Sequence, residues 1–304
     1  MKKYSIPRYI WRAVYPMLIF LGLTIFITLV ATFGYIIIDA VQTGITDVIV
    51  DQPSPHLHLK SPEEFILNNA LLLQLIANAF AFLIFALMWR KIRMKIPKYD
   101  NSKFTILSTV LTIIVCVGMN LLMIALFSIT DTARFFPSYE EVAMSLQSGS
   151  LTVRIIAICF AAPIVEELVF RGIIFNRLSA WMPSWIAVIV SSVMFGIMHL
   201  NLFQGLYTFL IGVAFCVLYV RYRNLLIPII GHIAFNSVNL LINELLLKTV
   251  EEINDFLLLI TSLLVTAFCI ALIIKHTKAA VPVMEAKLEL ETDMGSSEEA
   301  CHTQ

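Results

Sequence analysis

The sequence predicts an all-α fold: a polytopic membrane bundle of about eight transmembrane helices with both termini in the cytoplasm. Three observations predict it. Hydrophobic residues make up 59% of the 304 positions and charged residues only 14%, at a mean hydropathy of +0.87, well outside the range of a soluble domain. Apolar runs approaching the roughly 20 residues that a spanning helix needs recur along the whole chain. Positive charge gathers after alternate runs, as it does on the cytoplasmic side of membrane proteins.

The first run, Met17 to Ile38, is too long for the apolar core of a signal peptide and has no convincing cleavage site after it, so it reads as a retained helix. Lys2, Lys3, Arg8 and Arg12 precede it and place that end inside. The next loop carries Asp39, Asp47, Asp51, Glu63 and Glu64 against Lys60 alone and reads as outside. After the second run, Phe65 to Trp89, come Arg90, Lys91, Arg93, Lys95, Lys98 and Lys103, inside again. The third run, Phe104 to Ile129, leads to a loop around Asp131, Glu140 and Glu141 that is poor in positive charge. The remaining runs are Leu151 to Phe175, Trp185 to Leu200, Leu202 to Val220, Leu225 to Leu247 and Asp255 to Ile274. Continued alternation puts Arg177, Arg221, Arg223, Lys275 and Lys278 inside. The polar, acidic residues 279–304 contain no aromatic side chain and read as a disordered cytoplasmic tail. One membrane domain over residues 1–278 is expected, with its chemistry in residues 151–243.

Composition narrows function as well. Net charge is zero and no basic block is threaded with aromatic residues, so nucleic acid is excluded as a partner. Cys116, Cys159, Cys216 and Cys269 each sit alone in an apolar run, and Cys301 lies in the tail without the aliphatic neighbours a prenylation box prefers. His56 and His58 in the outer loop read as solvated.

The chemistry is instead in the membrane. An ionisable side chain at bilayer depth costs a few kcal/mol or more and normally faces the bundle interior or a wet cavity. In "PIVEELVFRGIIF", Glu167 and Arg171 are four residues apart with the acid first, the favourable order for an intrahelical pair. Glu166 points about 100° away and needs a partner on another helix. Pro163, one turn earlier, donates no backbone hydrogen bond and loosens the helix beside the pair. In "SSVMFGIMHL", Phe195 and His199 share a face. In "PIIGHIAFNSVNLLIN", His232, Asn236, Asn239 and Asn243 form a polar stripe down an otherwise apolar helix. Taken singly, a buried Glu–Arg pair is more often structural, a histidine near a helix end is usually interfacial, and Asn239 and Asn243 read as packing hydrogen bonders.

"EELVFR", "FGIMH" and "HIAFN", in that order, resemble the EExxxR, FxxxH and HxxxN motifs of the CAAX protease and bacteriocin-processing (Abi) family, glutamate-dependent intramembrane proteases related to the Ras-converting CAAX prenyl endopeptidase. The resemblance covers roughly Leu151 to Asn243 and includes Pro163, Gly172, Ser191, Ser192 and "LLIPIIGH". It implies that Glu166 activates a water held by His199 from a second helix. Glu167 and Arg171 would fix the helix and the local field, and His232 and Asn236 would polarise the scissile carbonyl or stabilise its oxyanion, with Phe195 supporting. Neutral donors aimed at a developing oxyanion are often the largest catalytic term. No cofactor is required by this scheme, yet Glu166, His199 and His232 also make a zinc set that leaves one position for water, so a metal-assisted route stays open.

The implied partners are the lipid bilayer of the cell membrane and a peptide or protein substrate, lipid-modified tails included, reached through an opening on the cytoplasmic side. The alternative function is a non-proteolytic peptide binder, for instance in bacteriocin self-immunity. Neither HExxH nor GxGD occurs, which removes the zinc site-2 and aspartyl intramembrane proteases.

Overall fold

The computed structural model of the protein describes residues 6–50, 61–93, 104–130, 132–136, 146–147, 149–242 and 254–277. The expected tail, the His56/His58 pair, Asn243, and the loop acids Asp131, Glu140 and Glu141 lie outside these residues. The helices are α1 (Ile6–Val50), α2 (Pro62–Arg93), α3 (Ile106–Ile129), α4 (residues 151–178), α5 (Ser184–Ile197), α6 (Leu202–Tyr222), α7 (Leu226–Leu241) and α8 (Asp255–His276), with a single turn Thr132–Phe135 after α3. The chain is an integral multi-pass helical membrane bundle.

Among the described residues five helices are long and apolar enough to cross a membrane: α2, α3, α6, α8 and the Pro7–Val41 part of α1. α1 is the most lipid-exposed of them, with only 6% of its most apolar window buried. One expected span comes out short. The run Trp185 to Leu200 yields the 14 residues of α5. It starts only after Pro183, in an extended conformation, and stops before Leu200, which is left-handed at φ 54°. Of the run Leu225 to Leu247, α7 covers Leu226–Leu241 among the described residues.

Helix ends are set by local chemistry. Thr105 and Ser108 cap α3 reciprocally, side chain to backbone in both directions. Asn201 accepts from the Gln204 N–H at the start of α6, and Asn254 from the Leu257 N–H at the start of α8. α5 and α6 pack closely because both present glycine at the crossing. A Cβ on Gly196 would lie 2.6 Å from the Gly205 carbonyl oxygen, so only small residues allow this approach.

α4 is not a uniform α-helix. Its windings alternate: α over Leu151–Arg154, π over Ile155–Ala161, α over Ala162–Glu167, π over Leu168–Phe175, and α over Asn176–Leu178. The loosening expected at Pro163 is therefore realised as π turns on both sides of the glutamate pair. Such turns are rare and tend to mark functional sites.

α4 is also the most enclosed element. Val169, Phe170, Ile173 and Ile174 are fully buried among Ala13 and Phe20 of α1, Ala81 and Phe85 of α2, Ala187 and Phe195 of α5, and Cys216 and Tyr219 of α6. A second core joins α3, α6, α7 and α8 through Cys116, Phe215, Ile227, Phe235 and Cys269. Phe195 of the first core and Phe215 of the second both touch the polar residues between them.

Contacts at the helix ends fix which ends lie together. Arg177 at the end of α4 donates to the Arg12 carbonyl (2.5 Å) and the Tyr15 hydroxyl (2.8 Å) of α1. Tyr9 stacks on Trp181, and Arg221 of α6 donates to the Thr277 carbonyl after α8 (3.0 Å). At the opposite end Tyr35 stacks on Phe65, Phe127 packs on Phe203, and Ser128 donates to Asp255. The basic residues flanking the runs thus gather at one end of the bundle, in the alternation read from the sequence.

Candidate active site

The glutamates of α4 face different surroundings. Glu167 and Arg171 are wholly buried and paired, with Nη1 donating to Oε1 at 2.7 Å. Arg171 also donates to the Gly212 carbonyl of α6 at 3.0 Å. Its guanidinium lies 4.6 Å from the Phe195 ring centre and 5.3 Å from that of Phe215. Stacking of this kind holds a desolvated cation that water no longer solvates. Glu166, one residue earlier, turns into a cavity, and its side chain stays 19% exposed.

His232 of α7 links the two acids. Its Nδ1 donates to Glu167 Oε1 at 2.9 Å, and its Nε2 lies 3.7 Å from Glu166 Oε2. The oxygen it meets also receives Arg171, so a carboxylate holds the imidazole in one orientation and assigns the hydrogen to Nδ1. The Phe215 ring lies against it at 4.7 Å between centres. His199, at the C-terminal end of α5, is held the same way. Its Nδ1 is 2.9 Å from the Phe195 carbonyl, which can only accept, so Nδ1 carries the hydrogen and Nε2 is left with a lone pair.

Asn236, one turn after His232, has a partner that the sequence did not indicate. Its Nδ2 donates to the Ile158 carbonyl in the first π segment of α4 at 2.9 Å. In that winding the Ala162 N–H reaches back to the Ala157 carbonyl, so the Ile158 carbonyl would be met by the N–H of residue 163. That residue is proline and has none. Asn236 supplies the missing donor from another helix, and one amide hydrogen remains to it.

Glu166, Phe195, His199, His232 and Asn236 all line one cavity of about 650 Å³. Of the residues singled out from sequence, Glu167 and Arg171 lie behind its wall, and Asn239 lines its outer part. Sequence reasoning missed the rest of the lining, including Gln74 of α2, Arg154 of α4, and Gln204, Tyr207 and Thr208 of α6. It also missed Asn120 of α3, which donates to the Phe235 carbonyl at 2.9 Å and braces α7 beside Asn236. A lone asparagine inside an otherwise apolar run was the signal for it.

Among the described residues no group of three His, Cys, Asp or Glu side chains is placed as metal ligands, and His199 Nδ1 rests on the Phe195 carbonyl. The cavity has a direction along the bundle. Its lining extends from His232 and Glu166 past Thr208 to Gln147, Leu200, Gln204 and Asn239. That is the end of the bundle opposite to Arg12, Arg177 and Arg221, so the opening and the basic ends lie on different faces.

The bundle and its inward-facing polar motifs define the class: a multi-pass membrane protein with a polar cavity between its helices. Residues 148–238 match the family model described as "Type II CAAX prenyl endopeptidase Rce1-like". Over 88 residues the chain is 35% identical to the "Putative membrane peptidase YdiL" of Bacillus subtilis (strain 168), a stretch that is 29% of this chain and 36% of that protein. The chain thus spans little more than a third of the length of the curated relative it matches. No solved structure matches the chain. Residues 148–238 are thus similar to the Rce1-like family, the resemblance that the three motifs implied, and the matched segment contains Glu166, His199, His232 and Asn236.

Proposed function

We propose that the protein is a CAAX-type intramembrane endopeptidase in which Glu166 activates a water molecule for attack on a peptide carbonyl. The observation that carries this reading is the convergence of Glu166, His199, His232 and Asn236 from three helices on one cavity of about 650 Å³.

In this scheme Glu166 takes a proton from the water as its oxygen bonds to the carbonyl carbon, and the π pair of the carbonyl moves onto its oxygen. His199 holds the water through Nε2. Asn236 donates its remaining amide hydrogen to the oxyanion. His232, oriented by Glu167 through Nδ1, lines the same space beside Asn236. The oxyanion pair then returns, the C–N bond breaks, and Glu166 passes its proton to the leaving amine. Glu167 and Arg171 touch no reacting atom and act as positioning residues. The neutral amides and hydroxyls of Gln74, Gln204, Tyr207 and Thr208 suit the alternating donors and acceptors of an extended peptide backbone.

The test is cleavage of a fluorogenic peptide library by purified, detergent-solubilised protein, wild type against Glu166→Gln, with and without a strong chelator. Glu166→Gln is expected to lower turnover by about 10²–10⁴-fold, the usual worth of a general base, with unchanged unfolding. Loss on chelation with recovery on zinc would instead assign the activated water to a metal. Absence of wild-type cleavage on every peptide would favour the self-immunity binder.

A further inference from the structure

We infer that the site takes its substrate from the extracytoplasmic side of the membrane, so that its substrates are peptide chains already carried across it or outward-facing segments of other membrane proteins. The inference rests on the peptidase reading above for the word substrate, and on geometry for the side.

Two independent features define the sides. The first is charge. Among the described residues, one end of the bundle holds Arg8, Arg12, Arg90, Lys91, Arg93, Arg177, Arg221, Arg223 and Lys275 and no carboxylate. The other holds Asp39, Glu63, Glu64 and Asp255 against Arg134 and Arg154. Contacts between α1 and α4 and between α6 and the end of α8 show that these cations share one face. An excess of Lys and Arg in short loops marks the cytoplasmic face.

The second is the reach of the cavity. At about 1.5 Å per helical residue, His232 lies about 9 Å from the start of α7 at the basic end, and Glu166 about 16 Å from Arg177. Phe20 and Phe170 line its inner end, and from Glu166 the polar lining goes outward. Asn239 is about 20 Å from that end along α7 and Gln204 about 27 Å along α6, and Arg154 lies at the far end of α4 from Arg177. With a hydrocarbon core of roughly 30 Å, the floor of the cavity is near mid-membrane and its far rim is at the acidic end. A tail anchored on the cytoplasmic leaflet would have to cross the packed core of Val169, Phe170, Ile173 and Phe195, all buried, to reach Glu166.

The experiment reads access without needing activity. In a Cys301→Ser background, whose remaining cysteines are buried, single cysteines are placed at Leu200 and Asn239 beside the cavity and at Lys91 on the basic end, all three exposed. Spheroplasts of the expression host are treated with a membrane-impermeant maleimide before and after permeabilisation. Leu200→Cys and Asn239→Cys are expected to label in intact spheroplasts and Lys91→Cys only after permeabilisation. Labelling of Lys91→Cys from outside, or failure of both cavity positions to label from outside, overturns the inference. A second readout compares cleavage of an impermeant fluorogenic peptide in right-side-out and inverted vesicles, with Glu166→Gln as blank. Labelling as expected without cleavage on either side would sink the peptidase reading and leave the side of access standing, whereas cleavage confined to inverted vesicles would overturn the side alone.

Discussion

The hydrogen bond from Asn236 to the Ile158 carbonyl exists, on the present reading, because Pro163 lacks an N–H. That dependence can be measured. Asn236→Ala leaves a carbonyl without its donor, a loss of about 1–3 kcal/mol for a buried group. The site is only part-buried, which points to the lower half of that range. Pro163→Ala supplies an N–H at the position the π winding requires. In that background Asn236→Ala should cost less than about 0.5 kcal/mol beyond its lost packing, because the carbonyl keeps a donor. The packing loss is common to both backgrounds and cancels, so the cycle isolates a coupling of about 1 kcal/mol. Equilibrium unfolding by SDS titration in mixed micelles, run on wild type, both single variants and the double, measures it. An Asn236→Ala cost that is the same in the wild-type and Pro163→Ala backgrounds refutes the argument and leaves Asn236 free to serve the oxyanion with both hydrogens.

Three further outcomes follow from the packing. Arg171→Met, which leaves Glu167 buried without its cation, should destabilise by about 3–5 kcal/mol, and Glu167→Gln with Arg171→Met together by clearly less, since the stranded charge is gone; equal losses by SDS titration would show that the pair is not the source. Leu200→Gly should raise stability by about 1 kcal/mol by relieving a left-handed backbone, read as a higher midpoint in the same titration. Gly196→Ala should lower the midpoint, because the new methyl meets the Gly205 carbonyl, whereas Gly22→Ala, with open space around it, should not.

The elements visible in sequence were those whose signal is local. Apolar length located α1, α2, α3, α6 and α8, and charge alternation ordered their ends. Residue type and spacing located Glu166, Glu167, Arg171, His199, His232 and Asn236, because an ionisable or amide side chain in an apolar run stands out wherever it falls. The Glu167–Arg171 pair was legible for the same reason, since both ends lie on one helix. What stayed hidden depends on packing between helices. The hold of His199 on the Phe195 carbonyl, the Arg171 bond to Gly212 and the Phe215 ring on His232 join residues with no spacing rule between them. The shortness of α5 was partly written in Pro183, but the left-handed turn at Leu200 was not, since leucine is a poor residue for it. Motif residues give depth along each helix but not which flank is left unfilled, so the extent of the cavity toward Gln204 and Asn239 was hidden as well.

The short α5 bears on the lipid itself. Trp185, Ile189, Val193 and Ile197 are exposed along one side of it, and at 1.5 Å per residue this outward stripe is about 18 Å tall. Hydrocarbon beside it is some 12 Å too thick. Acyl chains can follow such a surface only by thinning locally, at a cost of fractions of a kcal/mol per Å. The dimple so formed would lie over the end of α5 that carries His199. Bulk water would come within a few residues of the imidazole there, and a reaction that consumes one water per turnover would draw it across a depressed headgroup layer rather than through the full depth of the membrane.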